Sequence, residues 1–377
     1  MARRAAFLYD DRLADHVLSD THPMRPVRLR YTHDLLDGYD AFSGSYSSLV
    51  APRPASEDEI AWHHTAGYID AVRAIGAGDW SVNPSAHNFG PGDNPPYEGM
   101  YDAAILSTGA SVQAAEMLIA GDVDAAFNIS GGLHHAMPNY AYGFCVFNDP
   151  VIAIKRLVAE GMRVAYVDID CHHGDGVQHA FYDTNAVLTI SLHESGVFLF
   201  PGTGSVQEIG AGLGKGYSVN VPLYPYTTDD VYLWAFREVV PGLLDSFQPD
   251  VLVTQLGIDS HYRDPITHMA LTVQGFAEVV SELGARSPGK WLATGGGGYD
   301  LHAVARAWTL AYGVISEQTF ADEIPSAYAD TYDVVSLPDL EGPQIEDSVR
   351  DDARAFAEAS VQTVHRLIFP PHGLRPV

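Results

Sequence analysis

The sequence predicts an α/β fold: a central, mostly parallel β-sheet flanked by helices on both faces, in a single domain. Three observations predict it. Short apolar or β-branched runs alternate with longer helical patterns along the 377 residues. The short runs are near-continuously apolar, as expected of strands buried on both faces. Polar clusters follow four of them, on the rim where open parallel sheets bind ligands.

In chain order, the first strand is expected over 5–9 (AAFLY). The stretch 80–98, rich in Pro, Gly and Asn, reads as a surface loop. A helix over 99–120 leads to a strand over 124–129 (DAAFNI), and a helix over 149–160 to a strand over 163–169 (RVAYVDI). Strands follow at 187–192 (VLTISL) and 217–221 (YSVNV), then a helix over 229–247. A strand at 250–256 (DVLVTQL), a helix over 272–286, a strand at 290–294 (KWLAT) and a helix over 301–316 continue the alternation. A last helix is expected near 346–366. With no internal repeat and no low-complexity linker, one domain over 1–377 is expected.

Composition excludes several classes. Lys plus Arg number 21 against 48 Asp plus Glu, a formal charge of −27, which disfavours direct nucleic-acid binding and anionic membranes. Disorder does not follow, because 46% hydrophobic and 11% aromatic residues fill a large core. Cys145 and Cys171 are too few for a disulfide framework and suit a reducing compartment. No apolar run reaches the roughly 18 residues of a membrane span, so a soluble cytoplasmic protein is expected.

The polar clusters carry the chemistry. In Asp168-Ile169-Asp170-Cys171-His172-His173-Gly174-Asp175 the residues Asp168, Asp170 and His172 are spaced by two. If the strand continues through them they leave one face, so Asp170 and His172 could grip one ion. Asp259, after the strand at 250, is the best-placed acid for a third ligand. Two carboxylates and one imidazole neutralise Zn²⁺ and leave a coordination position open, and they suit Fe²⁺ as well. His134 and His135 follow Gly131-Gly132, and Asp168 and Asp175 are acids to which each imidazole could donate one N–H. Tyr299 ends the run Gly295-Gly296-Gly297-Gly298, where a phenol could donate to an oxyanion. A phosphate cradle is disfavoured, since no P-loop Lys-Ser/Thr follows. Gly143-Phe144 and Leu199-Phe200-Pro201-Gly202 each put a phenyl ring in a Gly-rich loop, suited to a narrow aliphatic channel.

Together these clusters resemble the zinc-dependent histone deacetylase superfamily, particularly its prokaryotic acetoin-utilisation deacetylases. The resemblance begins at His22-Pro23-Met24-Arg25-Pro26, passes through Gly92-Asp93-Asn94-Pro95-Pro96-Tyr97-Glu98-Gly99 and ends at Val304-Ala305-Arg306-Ala307-Trp308. It covers about 7–315, implies the single-domain arginase/deacetylase-like fold, and leaves a C-terminal helical extension over about 317–377. It implies hydrolysis of acetyl-lysine amides, with Asp170, His172 and Asp259 as zinc ligands. His134 would pair with Asp168 and stay protonated; His135 would pair with Asp175 and act as general base, then general acid. Tyr299 would polarise the acetyl carbonyl, Phe144 and Phe200 would wall the acyl-lysine tunnel beside Gly143, and Asp93 would hold substrate amides at the rim.

The resemblance also implies structural K⁺ at two places. One would use Asp168, Asp170, His172, Ser191 and Leu192; the other Phe181, Thr184, Val187 and Tyr217. Arg28 would line an internal acetate channel. Ile266 falls where acetylpolyamine-selective relatives carry an acid, which favours acetyl-lysine over a polycation. Gly174 stands where an arginase-type ureohydrolase needs a carboxylate for a second metal. The implied partner is an acetylated protein, such as acetyl-CoA synthetase or a histone-like protein; oligomeric state is not legible in the sequence.

Overall fold

The computed structural model describes residues 2–14 and 18–375. Eight strands are found among them: β1 (Ala5–Leu8), β2 (Ser47–Val50), β3 (Ala125–Asn128), β4 (Val164–Asp168), β5 (Val187–Glu194), β6 (Ser218–Leu223), β7 (Val251–Gln255) and β8 (Trp291–Thr294). They form one sheet in the order β2-β1-β3-β8-β7-β4-β5-β6, and every pairing is parallel. All seven expected strands are present. The edge strand β2 escapes the sequence reading because Ser-Ser-Leu-Val is half polar, with Ser48 and Leu49 exposed.

Alternation sends successive strand residues to opposite faces. Phe7, Phe127, Val167, Ile190 and Ala293 enter one core cluster; Ala6, Leu8, Ala126, Tyr166, Val253 and Leu292 enter the other. Helices Asp229–Phe247, Val273–Ala285, Leu301–Ser316 and Asp347–Leu367 cover the first face. Helices Met100–Ala120 and Asp149–Ala159 cover the second. Met100–Ala120 has the length and mean hydropathy (1.3) of a membrane span, but 61% of that window is buried in the fold, as in a core helix. Val27–Gly38 and Ala66–Gly76 are helices that the sequence reading did not include. The first presents Leu29, Thr32, Leu35 and Leu36 inward between charged positions, a stripe visible only by its 3.6 period.

Two consequences of this topology position the site. The strands β3, β8, β7 and β4 stand side by side, and each of the four polar clusters follows one of them. The register also aligns Asn128, Thr294, Gln255, Asp168 and Ser191 in a row across β3, β8, β7, β4 and β5. Apolar sheet thus gives way to polar rim along one line.

The chain after Ser316 is bound to the core at two places. Ser360 Oγ donates to Pro222 O at 2.8 Å, so helix Asp347–Leu367 lies along the edge strand β6. The carboxylate of Asp339 meets buried Arg306 at 2.8 Å and accepts hydrogen bonds from His261 Nε2 at 2.9 Å and Val273 N at 2.8 Å. Burial alone would raise the Asp339 pKa, but His261, Val273 and Arg306 hold it down at about 2. Replacing Asp339 by Ala leaves Arg306 buried without its partner, so stability at pH 7 should fall by about 3 kcal/mol. The native state favours the ionised form; its contribution is complete above the unfolded value of about 3.9 and is lost as pH falls towards 2. Denaturation midpoints of both proteins at pH 7 and pH 3 check this: the gap should be widest at pH 7 and narrower at pH 3, and no gap at pH 7 refutes it.

Candidate active site

Strand β4 ends at Asp168, so Asp170 and His172 lie in the loop beyond it. This corrects the premise that a continued strand aligns them. The loop is tightened instead by Asp170 N donating to Asp168 Oδ1 (3.2 Å) and His172 N donating to Asp170 Oδ1 (2.9 Å). The side chains still converge. His172 Nδ1 lies 3.2 Å from Asp170 Oδ1 and 2.8 Å from Asp259 Oδ2. Donor atoms of the three residues lie within 4.8 Å of one another, all three residues are buried, and no other such group of acids, histidines or cysteines occurs among the described residues.

These residues fit a divalent cation. Burial and the Asp170 charge push the Asp259 carboxyl up to about 6. The His172 imidazole, though burial opposes it, is raised well above its usual value by Asp259 and Asp170. Two buried carboxylates thus draw positive charge to one point, where a metal ion can replace the imidazole proton. Further hydrogen bonds aim the carboxylates. Gln255 Nε2 and Gly297 N donate to Asp170 Oδ2 at 2.6 and 2.7 Å, and Cys171 N donates to Asp259 Oδ1 at 2.7 Å. A side chain at Gly297 would overlap the Asp259 carboxylate, which explains one glycine of the Gly₄ run.

Beside this group the two histidines form separate pairs. His134 Nδ1 donates to Asp168 Oδ2 at 2.8 Å, and His135 Nδ1 donates to Asp175 Oδ1 at 2.6 Å. Their Nε2 atoms lie 3.0 Å apart, so one must donate and the other accept. Burial lowers the His134 pKa, yet the charges of Asp168 and Asp170 outweigh it and raise the value to about 9. Burial and the charge on His134 drive His135 well below its usual range. The consistent state is an imidazolium at His134 and a neutral His135 that carries its proton on Nδ1 and a lone pair on Nε2.

Asp93, His135, Gly143, Phe144, His172, Phe200, Ile266 and Tyr299 line one cavity of about 290 Å³. The Phe200 ring stands 5.1 Å edge-to-face from His135, and the Phe144 ring 5.8 Å edge-to-face from Tyr299. Gly143 and Phe144 both have positive φ (50° and 69°) and form the hairpin turn closed by Cys145 N donating to Tyr142 O at 2.9 Å. Glycine is needed at 143, where a side chain would overlap the His135 ring. A Phe at positive φ is strained by about 1 kcal/mol or more. The buried Asn94 holds it by accepting from Phe144 N at 3.0 Å. Burial and the Asp259 and Asp170 charges push the Tyr299 phenol well above its ordinary value, so it keeps its proton as a donor.

Arg28 is buried, donates from both terminal nitrogens to the carbonyls of Gly298 and Gly296 at 2.7 Å, and lines a second, mostly apolar cavity of about 110 Å³ beyond Phe144 and Leu133. Ser191 is the register partner of Asp168 and Leu192 is the next residue on β5. Phe181, Thr184 and Val187 lie along the turn entering β5, and Tyr217 O accepts from Thr189 N at 2.9 Å just inside that strand.

The sequence reading missed several residues that hold these groups. Gln255 is a fully buried amide in an otherwise apolar strand, itself a legible anomaly. Tyr166 donates its hydroxyl to Asp168 Oδ2 at 2.6 Å. Asp264 accepts from Tyr299 N at 2.9 Å and Ile266 N at 3.1 Å, tying the phenol to the rim. Nothing in the spacing of Asp264 reveals that contact.

Comparison with known proteins agrees with this geometry. Residues 22–315 match the histone deacetylase domain family. The chain is 41% identical over 313 residues to the acetoin utilization protein AcuC of Bacillus subtilis, covering 81% of this chain and 80% of that one. It is 39% identical over 328 residues to human histone deacetylase 1, covering 86% of this chain and 67% of the relative. A crystal structure of an HDAC homolog from Aquifex aeolicus superposes with a TM-score of 0.84 at 29% identity, over 95% of this chain and all of that one. A crystal structure of an HDAC homolog complexed with SAHA gives 0.84 at 30% identity, with the same coverage. The chain therefore belongs to the metal-dependent histone deacetylase family of hydrolases.

Proposed function

We propose that the protein hydrolyses the acetyl amide of Nε-acetyl-lysine in proteins, releasing acetate and free lysine. The observation that carries this reading is the two Asp–His couples, His134–Asp168 and His135–Asp175, beside the buried Asp170–His172–Asp259 group at the end of an aromatic cavity. The uncharged acyl-lysine chain enters between Phe144 and Phe200, and Asp93 at the rim accepts substrate backbone N–H groups. His135 Nε2 takes a proton from water as its oxygen attacks the carbonyl carbon. Tyr299 donates its phenolic hydrogen bond to the developing oxyanion, and the His134 imidazolium stabilises the same charge. As the C–N bond breaks, His135 returns its proton to the leaving amine. A zinc ion held by Asp170, His172 and Asp259 would polarise the carbonyl and acidify water, and Fe²⁺ suits the same donors.

Arg28 lines an exit channel for acetate. Structural K⁺ is assigned to the Asp168–Ser191–Leu192 and Phe181–Tyr217 regions, supported by the family resemblance and by the Ser191 register. The whole chain is taken as one deacetylase unit, with residues 317–377 as an extension of it. A cytoplasmic, reducing location accords with two buried, unpaired cysteines. The substrate is an acetylated protein, for which acetyl-CoA synthetase and histone-like proteins are the first candidates.

Ile266 at the cavity mouth offers no carboxylate to a second ammonium, so kcat/KM should be higher for acetyl-lysine peptides than for acetylated putrescine or spermidine; the reverse order overturns the substrate assignment. Replacing Tyr299 by Phe should lower kcat roughly 10²- to 10³-fold with metal content unchanged. Undiminished turnover refutes its role as donor. Elemental analysis should give one divalent metal per chain, lost on replacing Asp259 by Ala. Two manganese ions per chain would instead support an arginase-type binuclear centre, against which Gly174 already speaks.

A further inference from the structure

Asn148 and Asp149 take no part in the reaction above, yet they grip the backbone on both sides of His135. Asn148 Nδ2 donates to His134 O at 3.1 Å and to Ala136 O at 3.0 Å, the two carbonyls flanking His135. The Asp149 carboxylate accepts from Gly132 N at 3.2 Å and Leu133 N at 2.9 Å, and from Ser111 Oγ at 2.5 Å. Both side chains are fully buried. The remaining polar atoms of Asn148 are also used: Oδ1 accepts from Val151 N at 3.1 Å, and the backbone N–H donates to His64 Nε2 at 2.9 Å.

The clamp is anchored to something rigid. Asn148 caps helix Asp149–Ala159, whose Val151, Ile154 and Leu157 are buried in the second core cluster. From the opposite side, Gly176 lies so close to His134 O, Ala136 O and Asn148 Nδ2 that a side chain there would collide with all three. Gly176 follows Asp175, the partner of His135 Nδ1. His135 is therefore held by the starts of two helices, its ring by one and its flanking carbonyls by the other.

We propose that Asn148, supported by Asp149, is a positioning residue that sets the place of His135 for proton transfer. This rests on the deacetylase reading of the site. Proton transfer is geometrically strict, and a displacement near 1 Å costs about 10²-fold in rate. Two hydrogen bonds from one planar amide fix the 134–135 and 136–137 peptide planes, so the chain is held on entering His135 and one residue beyond it, which a helix cap alone does not require.

The test separates positioning from capping. Asn148→Ser keeps a capping oxygen and removes both donors; Asn148→Asp keeps the cap and the shape and faces the two carbonyls with oxygen. Steady-state kinetics on an acetyl-lysine peptide should show kcat lower by about 100-fold in both variants, with KM within about threefold and metal content at the wild-type level. A trifluoroacetyl-lysine peptide has a more electrophilic carbonyl and leans less on a general base, so its kcat should fall at least about tenfold less. Wild-type kcat in a folded variant, or equal losses on the two peptides, overturns the proposal. Failure of both variants to fold assigns Asn148 to the fold and overturns it too. An inactive wild type on both peptides overturns the deacetylase reading itself, and the clamp's catalytic role with it.

Discussion

Two carboxylates that cannot both be buried uncompensated, Asp170 and Asp259, govern the rest of this structure. Each lies at the end of a different strand, and both crowd one imidazole, His172. Desolvating such a pair costs several kcal/mol per ion unless positive charge and N–H donors meet it. The donors come from Gln255 on β7, from Gly297 after β8 and from Cys171 after β4. Arg28 adds a buried guanidinium, whose pKa burial lowers while the charges of Asp259 and Asp170 act against that shift. Only a sheet that ends β8, β7 and β4 side by side delivers all of these to one point.

The same carboxylates divide the labour of the adjacent histidines. His134 faces Asp168 and Asp170 and keeps its proton; His135 faces His134 across 3.0 Å and is kept from gaining a second one. Chain adjacency makes this possible. Two histidines on a glycine turn can stand in contact yet reach different acids, one at the end of β4 and one in the first turn of the next helix. A neutral imidazole and a fixed positive charge thus arise from one residue type through placement alone.

The fold and the polar centre were largely legible, and the reasons differ. Parallel strands buried on both faces write themselves as apolar runs, so seven of them stand out, whereas edge strand β2 is half polar with only Ser47 buried and does not. The three residues that fit a metal ion and the paired histidines announce themselves because Asp, His and Gly are costly at the ends of such runs unless they serve a purpose. What stayed hidden are groups that act through the backbone. Asn148 looks like an ordinary helix cap, Asp264 like a loop acid, and Gln255 like an interruption in an apolar strand. Each contact joins residues 10 to more than 80 positions apart, or a side chain to a peptide group, and no local spacing encodes it. Even Asp170 and His172, spaced like residues on one strand face, meet through a loop hydrogen-bonded to itself.

The net charge of −27 takes a narrower meaning beside this geometry. Asp168, Asp170, Asp175 and Asp259 are buried and matched by His134, His172, Arg28 and peptide N–H groups, so they add little to the field outside. The surplus therefore lies mainly on the exterior, where water and salt screen it within about 10 Å at 0.1 M. For the proposed substrate, an acetylated lysine that is itself neutral, this outer charge would act only on basic residues flanking it. Inside the cavity Phe144, Phe200 and Ile266 set the terms, and the low-dielectric interior gives the two Asp–His pairs their strength. Encounter and chemistry thus depend on different acids, separated by burial.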